Sequence, residues 1–340
     1  MTLPANRDLW KAQNENEWQR LYRREHRSAG LTFQDICGDL SILQSMAETH
    51  DVKLCAQAVL YSQWIRVWTL IDTKSFFLRN KSSSKHVHSL LLIEAQQKDI
   101  YENLKEMQDR LQHIDAFPPD SNILSEFLMM SSHVPLQDIQ RLAGRFGLEE
   151  AQSILPILCS WFESENRNYA TWHAGQVLKA ARLIPPTQLH GFHAIMIYHA
   201  CLTLWTFVVL SKSAPTVSSL RDSGSANSLM QIQSSIPAGK SDAPLVVLNG
   251  EESPEVRRYL FTGHGTLALD MEGEFGIVSQ PTIISTTMSD IFRKNYPSKK
   301  HNMPSLLERL VVLMHDLSQT LSAFLDVSSH QGLNGDHNVL

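Results

Sequence analysis

Fifteen histidines make a metal site the first chemistry to test in this chain of 340 residues. Zinc sites in proteins use characteristic spacings of histidine and cysteine. The metalloprotease pattern H-E-x-x-H and every paired-cysteine zinc pattern are absent from the sequence. His190 and His193 are spaced to share one helix face, and His86 and His88 lie in a Ser/Lys-rich turn, but neither pair has an acidic or cysteine partner nearby. We therefore expect no metal site.

A glycine-rich phosphate loop is the second candidate. The pattern G-x-x-x-x-G-K-[ST] is absent, but Gly263 to Ala268 matches G-x-G-x-x-A. A dinucleotide site needs a strand before this pattern and a helix after it. Here a predicted helix precedes the glycines, and Asp270 and Glu272 follow at once. These residues are therefore predicted to form a loop between helices.

Nucleophilic catalysis has no recognisable pattern, because the nucleophile elbow G-x-S-x-G is missing. The sequence names no catalytic, metal-binding or DNA-contacting residue and leaves any ligand pocket unassigned. We expect a protein that is not an enzyme and that holds no cofactor. One enzyme hypothesis stays open, a helical site in the histidine-rich stretch from Trp172 to His199 built on His173, His193 and His199.

Composition limits the function classes further. The net charge of −5 and the pI of about 6.3 argue against binding DNA through most of the surface, which would require an excess of Lys and Arg. The four cysteines lie among apolar residues and predict buried free thiols in a reducing compartment. The first residues lack the apolar core of a signal peptide, so none is expected.

Apolar residues recur at helical spacing along most of the chain, which predicts an all-α fold. Asp35 to Phe77 shows this spacing, with Asp51 as the N-cap of its second helix. Ser89 to Ile114 has the most regular stripe, interrupted only by Gln97. That stripe predicts the inner face of a long helix packed in the same domain, and a coiled-coil dimer with Gln97 as a polar core position is the alternative.

The stretch from Phe192 to Leu210 is close to the length of a membrane span. Fifteen of its nineteen residues are apolar. The exceptions include His193 and His199, which would be costly in lipid. We expect a buried central helix, packed against Trp172 to Leu183.

The expected organisation is one large multi-helix domain with an insertion. Residues 1–210 form its first part, 211–243 a serine-rich disordered insertion, 244–327 its closing part and 328–340 a flexible tail. The run from Leu245 to Leu248 is the only apolar segment that suggests a strand. Because one strand does not make a sheet, no sheet is predicted.

Four blocks carry a further signal. The first holds Asp8-Leu9-Trp10-Lys11-Ala12, Glu17-Trp18 and Leu21-Tyr22. The second runs from Trp172-His173-Ala174-Gly175-Gln176-Val177 through Ala194–Ala200 to Leu202-Thr203-Leu204-Trp205. The third holds Leu248-Asn249-Gly250 and Glu255-Val256-Arg257-Arg258, and the fourth Pro304-Ser305-Leu306-Leu307-Glu308-Arg309-Leu310 and Leu313-Met314. In content and order they resemble the fungal-specific transcription factor regulatory domain, the helical region downstream of fungal zinc-dependent DNA-binding modules.

The resemblance implies an all-helical regulatory domain, a nuclear location and control of RNA polymerase II transcription, often of metabolic or secondary-metabolite gene clusters. The zinc modules of that family have no counterpart here, since four dispersed cysteines cannot supply their spacing. We therefore expect DNA contact only indirectly or through a missing upstream module, which would also be the only source of zinc. The expected partners are proteins, as a homodimer or a heterodimer with a full-length regulator, and no membrane. A non-catalytic helical scaffold outside transcription is the alternative.

Overall fold

The computed structural model describes residues 3–25, 30–46, 48–79, 86–113, 119–221, 243–297 and 303–333. Fourteen helices and three short strands form the regular structure of these residues, so the prediction of an all-α, multi-helix fold is confirmed. The chain divides into two compact units, a first unit of Met1–Ser132 and a second unit of His133–Leu340. The boundary between them falls inside the predicted segment 1–210.

Two long helices dominate the first unit. Its helices are α1 (Arg7–Lys11), α2 (Glu15–Glu25), α3 (Phe33–Gly38), α4 (Ile42–Ser45), α5 (Val52–Arg79), α6 (His86–Gln112) and α7 (Pro119–His133), the last of which ends at the unit boundary. Helices α5 and α6 pack along each other, and α3 and α4 pack on α5. The predicted N-cap of α5 is confirmed, because the Leu54 N–H donates to Asp51 Oδ1 at 3.0 Å. Arg7 Nε donates to the other oxygen of Asp51 at 2.6 Å.

The regular stripe of α6 lies inside the first unit. Its apolar members are buried at Ile93, Ile100, Leu104, Met107 and Leu111. Gln97 is only 5% exposed, and its Oε1 accepts a hydrogen bond from Lys74 Nζ of α5 at 2.9 Å. Burial lowers the pKa of the Lys74 ammonium. The stripe is therefore the inner face of a helix within its own unit, as expected, and Ile114 lies outside the described residues.

Helix α5 is apolar on two faces. One face is buried and holds Cys55, Ala56, Val59, Leu60, Val67 and Leu70. Leu54, Tyr61 and Ile65 are also at helical spacing, but they lie on the other face, where their side chains are 44%, 44% and 69% exposed. Spacing alone predicts a helix but cannot choose which of two apolar faces meets the core.

Helix α11 is the centre of the second unit. The helices there are α8 (Leu136–Leu142), α9 (Leu148–Glu163), α10 (Asn166–Arg182), α11 (Gly191–Arg221), α12 (Pro254–Thr262), α13 (Pro281–Asn295) and α14 (Ser305–Leu333). Helix α11 contacts α8, α9, α10, α13 and α14, so its predicted packing against α10 is confirmed. It continues past Leu210 to Arg221, and residues 222–242 of the predicted insertion lie outside the described residues.

The apolar part of α11, Gly191–Lys212, is long and apolar enough to cross a membrane. Of its most apolar 18-residue stretch, 67% is buried within the protein. Two of its polar side chains are accommodated by the helix itself. The hydroxyls of Thr203 and Thr206 donate at 2.9 Å to the carbonyls of His199 and Leu202, one turn earlier. Both threonines are completely buried without leaving their hydroxyls unsatisfied.

A small sheet in the second unit corrects the expectation of no sheet. Strand β1 (Leu245–Val247) pairs in parallel with β2 (Thr266–Met271), which pairs antiparallel with β3 (Glu274–Ile277). Helix α12 connects the two parallel strands. The hairpin turns at Glu272 and Gly273, whose φ angles of 60° and 103° fit a two-residue turn. Strands of three to six residues carry too little alternation to be recognised in sequence.

The prediction of buried free thiols is confirmed for Cys55 and Cys201 and is wrong for Cys37. All four cysteines are free; Cys55 and Cys201 are buried, Cys159 is half-buried and Cys37 is exposed. Burial raises the pKa of the Cys55 thiol to about 11. Cys37 is exposed because it lies on the outer side of the short helix α3, whose neighbouring Ile36 points into the core instead.

One face of α10 contacts the loop that follows β1 and so connects the sheet to the helices. A Cβ on Gly175 would lie 2.4 Å from both Cβ and the carbonyl oxygen of Leu248, so only glycine allows this approach. Gln176 Nε2 donates to the carbonyls of Leu248 and Gly250 at 2.7 and 3.0 Å. Lys179 Nζ also donates to Gly250 O, at 3.2 Å. Two backbone carbonyls that the loop itself leaves open are thus satisfied from the helix.

Substituting Gly175→Ala tests this approach. The added methyl group must push the Leu248 backbone away, so we expect a loss of about 1–3 kcal/mol in the free energy of unfolding, as for other overpacked sites. The matched control is Gly191→Ala at the start of α11, where the nearest atom, Leu306 Cδ2, would be 3.4 Å away. Urea unfolding of both variants checks the prediction, and equal stability of the two variants would contradict it.

Candidate functional site

The three histidines of the enzyme hypothesis lie on two neighbouring helices. His173 is buried in α10, and His193 and His199 lie on α11. The His193 ring is 2% exposed and lies 3.9 Å from the Phe192 ring and 5.8 Å from the His190 ring, measured between centroids. His190 and His193 are thus brought together as their spacing predicted, with a phenylalanine against them.

His199 is held neutral by its surroundings. Its Nδ1 lies 2.8 Å from Ile195 O and donates to it, and its Nε2 lies 2.6 Å from Gln140 Nε2 of α8 and accepts from it. The Gln140 amide can donate in this way because its oxygen accepts from Arg145. Burial lowers the pKa of His199, and the positive charge of Arg145 lowers it further. This histidine joins α11 to α8. The proton on its Nδ1 is used in the hydrogen bond to the Ile195 carbonyl.

In the part of the chain that the structure describes, we find neither a metal site nor a phosphate-binding loop. No three His, Cys, Asp or Glu side chains among these residues are grouped so that they could hold a metal ion. Gly263 ends α12 with a φ of 70° and donates its N–H to Tyr259 O, which makes it a helix C-cap. Strand β2 follows this loop, so the expected loop between two helices is corrected to a loop between a helix and a strand. The glycines stand at the end of a helix, opposite to the order a dinucleotide site requires.

A groove between α13 and α14 is a candidate binding site among the described residues. Its volume is about 360 Å³, which is in the range of small-molecule sites. The two helices supply different chemistry to it. Helix α13 contributes polar groups and α14 contributes two valines and a histidine, from Ser285, Thr286, Ser289, Asp290, Arg293, Val311, Val312 and His315.

The groove suits a small ligand with an apolar body and an acidic end. The Arg293 guanidinium can bind a carboxylate, and the Ser289 hydroxyl is a further donor. Val311 and Val312 offer apolar surface, and Val312 is 58% exposed. His315 Nε2 lies 2.8 Å from Gln319 Nε2 of the same helix, which fixes the imidazole at the edge of the groove.

The groove has only a weak signal in the amino-acid sequence. Ser285, Ser289 and Arg293 recur every four residues, which places them on one face of α13. The opposite wall comes from a different helix, and nothing in the sequence shows which helix that is. Sequence alone therefore does not assign this site.

Comparisons of the chain with protein-family models, curated proteins and solved structures found no match. The function must therefore be inferred from the residues of the chain itself.

The neutral state of His199 predicts a dependence of stability on pH. The folded state lowers its pKa below the ordinary value of 6.5, so the unfolded state binds the proton more readily and stability falls as the pH drops through 6.5. His199→Gln removes this contribution. We expect the variant to lose less stability than the parent between about pH 7.5 and about pH 5.5, on either side of the ordinary histidine pKa.

Urea unfolding at the two pH values measures this difference. His264→Gln, at an exposed loop histidine, is the control and should keep the pH dependence of the parent. An unchanged pH dependence in His199→Gln would contradict the assignment of a half-buried, neutral imidazole.

Octanoate, which carries a carboxylate on an apolar tail, tests the groove. Binding to the folded state should raise the melting temperature as the octanoate concentration rises. Arg293→Met should abolish this shift. Lys294→Met is the matched control, because Lys294 is the next cation on α13 and lies 3.8 Å from Glu272 rather than in the groove. Equal shifts in both variants, or no shift in the parent, would exclude this mode of binding.

Proposed function

We propose that this chain is the regulatory part of a fungal-type transcription regulator that controls RNA polymerase II transcription in the nucleus, in a metabolic or secondary-metabolite gene cluster. It acts by binding proteins rather than by catalysis. It holds no cofactor of its own, and it reaches DNA through a partner or through an upstream zinc module.

The observation that carries this proposal is the junction between two of the four resembling blocks. Gly175 and Gln176 of the second block meet Leu248 and Gly250 of the third, about seventy residues away in sequence. In the junction, Asn249 exchanges two hydrogen bonds with the backbone of Asp270, at 2.7 and 2.9 Å. Residues that a chance likeness would scatter therefore form one buried contact, which supports a shared domain architecture.

The fourth block supports the same proposal. It forms the first turns of α14, whose Leu317 carbonyl accepts a hydrogen bond from Trp205 Nε1 at 3.1 Å. Trp205 closes the second block, on α11. The second, third and fourth blocks thus belong to the second unit, and α14 also forms one wall of the groove. A small acidic effector bound there would contact the helix that packs on α11, which gives the regulator a route from ligand to core.

A non-catalytic interaction protein outside transcription is the second candidate. The exposed apolar face of α5 favours it, because apolar surface of this kind marks protein contacts without specifying their process. It predicts protein binding and no effect on transcription.

A tethered reporter assay separates the two candidates. The chain is fused to an unrelated DNA-binding module, and reporter transcript is measured against the module alone at matched protein levels. We expect a clear change in transcript. Gln176→Leu leaves the Leu248 carbonyl without a donor and the Gly250 carbonyl with Lys179 alone. It should weaken the effect, since a buried unpaired polar group costs about 1–3 kcal/mol.

Gln152→Leu, the same substitution at an exposed position of α9, is the control and should behave as the parent. Reporter transcript at the level of the DNA-binding module alone would rule out a role in transcription and favour the interaction protein.

A further inference from the structure

The outer face of α5 carries a continuous apolar stripe that the first unit does not bury. We call it the α5 stripe. Its members are Leu54, Tyr61, Ile65, Trp68 and Phe76, which are 44%, 44%, 69%, 51% and 61% exposed. At 3.6 residues per turn these five positions fall within an arc of about 80°. Eight residues of the described part of α5 are exposed, and five of them belong to the stripe.

The stripe has the composition and size of a protein contact. Aromatic side chains dominate the energetic centres of interfaces, and three of its five members are aromatic. Together the five side chains expose on the order of 600 Å², judged from the areas that such side chains bury when enclosed. A stable complex uses about 800 Å² per partner. The stripe supplies most of that area before any flanking residue is counted.

The spacing of the stripe is nearly symmetric about Ile65. Leu54 and Phe76 lie eleven residues to either side of it, and Tyr61 and Trp68 lie four and three residues away. Two copies of α5 placed antiparallel would therefore meet Ile65 on Ile65, with each tyrosine against a tryptophan and each leucine against a phenylalanine. Such a surface is complementary to itself, which is the condition for a two-fold symmetric dimer.

Charge selects the antiparallel arrangement. Asp72 is exposed and interrupts the α5 stripe, between Trp68 and Phe76. In a parallel pair the two Asp72 carboxylates would face each other, which is unfavourable. In an antiparallel pair centred on Ile65, Asp72 lies opposite the small Ala58, so the two carboxylates are kept apart.

We propose that a second copy of this chain binds the α5 stripe, forming an antiparallel α5–α5 dimer with its two-fold axis at Ile65. The interface is distinct from the Leu90 to Ile114 stripe, which is used inside the first unit. The proposal does not rest on the function proposed above, because self-association is measured on the purified chain.

Size-exclusion chromatography with light scattering measures the mass of the full chain at micromolar concentration and so tests the dimer. The parent should have twice the monomer mass of 38.5 kDa. Ile65→Lys places two ammonium groups at the axis and should give the monomer. Leu92→Lys, at a 71% exposed leucine of α6, is the control and should stay dimeric. Circular dichroism should show equal helix content in all three proteins.

Disulfide trapping tests the orientation in a Cys37→Ser background, which removes the exposed native thiol. Ile65→Cys should form an intermolecular disulfide. Leu54→Cys alone should not, but a mixture of Leu54→Cys and Phe76→Cys should. A parent that stays at monomer mass, an Ile65→Lys variant that remains dimeric, or cross-linking of Leu54→Cys with itself would each overturn the proposal. A parent at monomer mass would indicate that the α5 stripe binds a different protein.

Discussion

The close approach of α10 to the loop after β1 is the constraint on which the second unit depends. It exists because Gly175 has no Cβ and because Gln176 carries two donors to two carbonyls of the opposing loop. The same face of α10 reaches strand β2, where Arg182 donates to Asp270 O. Helix α10 also packs on α11, so the sheet segment is held to the central helix through one rigid element. The sheet and the central helix of the second unit are therefore connected through this contact.

Helix α11 shows how the same unit tolerates polar groups in its centre. Its threonines bond to their own helix, and His199 is neutral between Ile195 and Gln140. The threonine hydroxyls and the His199 ring are hydrogen-bonded within the helix or to α8, so they are accommodated although five other helices pack around α11. A stretch that composition alone could not distinguish from a membrane span thus has the contacts of a core helix.

Local signals predicted most of the helices, and long-range pairing escaped prediction. Asp51 as a cap, Pro281 at the start of α13 and the regular stripe of α6 are readable because the cause lies within a few neighbouring residues. The sheet was missed because the evidence for β2 and β3 is their pairing with each other and not their composition. The groove was missed for the same reason, since its two walls are separate helices.

The transcript profile of a strain lacking this chain tests the central claim most directly. If the chain is a regulator of RNA polymerase II transcription, its removal should change a defined group of transcripts, concentrated in a metabolic gene cluster. Restoring the parent chain should restore them, and restoring Gln176→Leu should do so only in part. A profile that is unchanged by removal, under conditions in which the chain is expressed, would contradict the account.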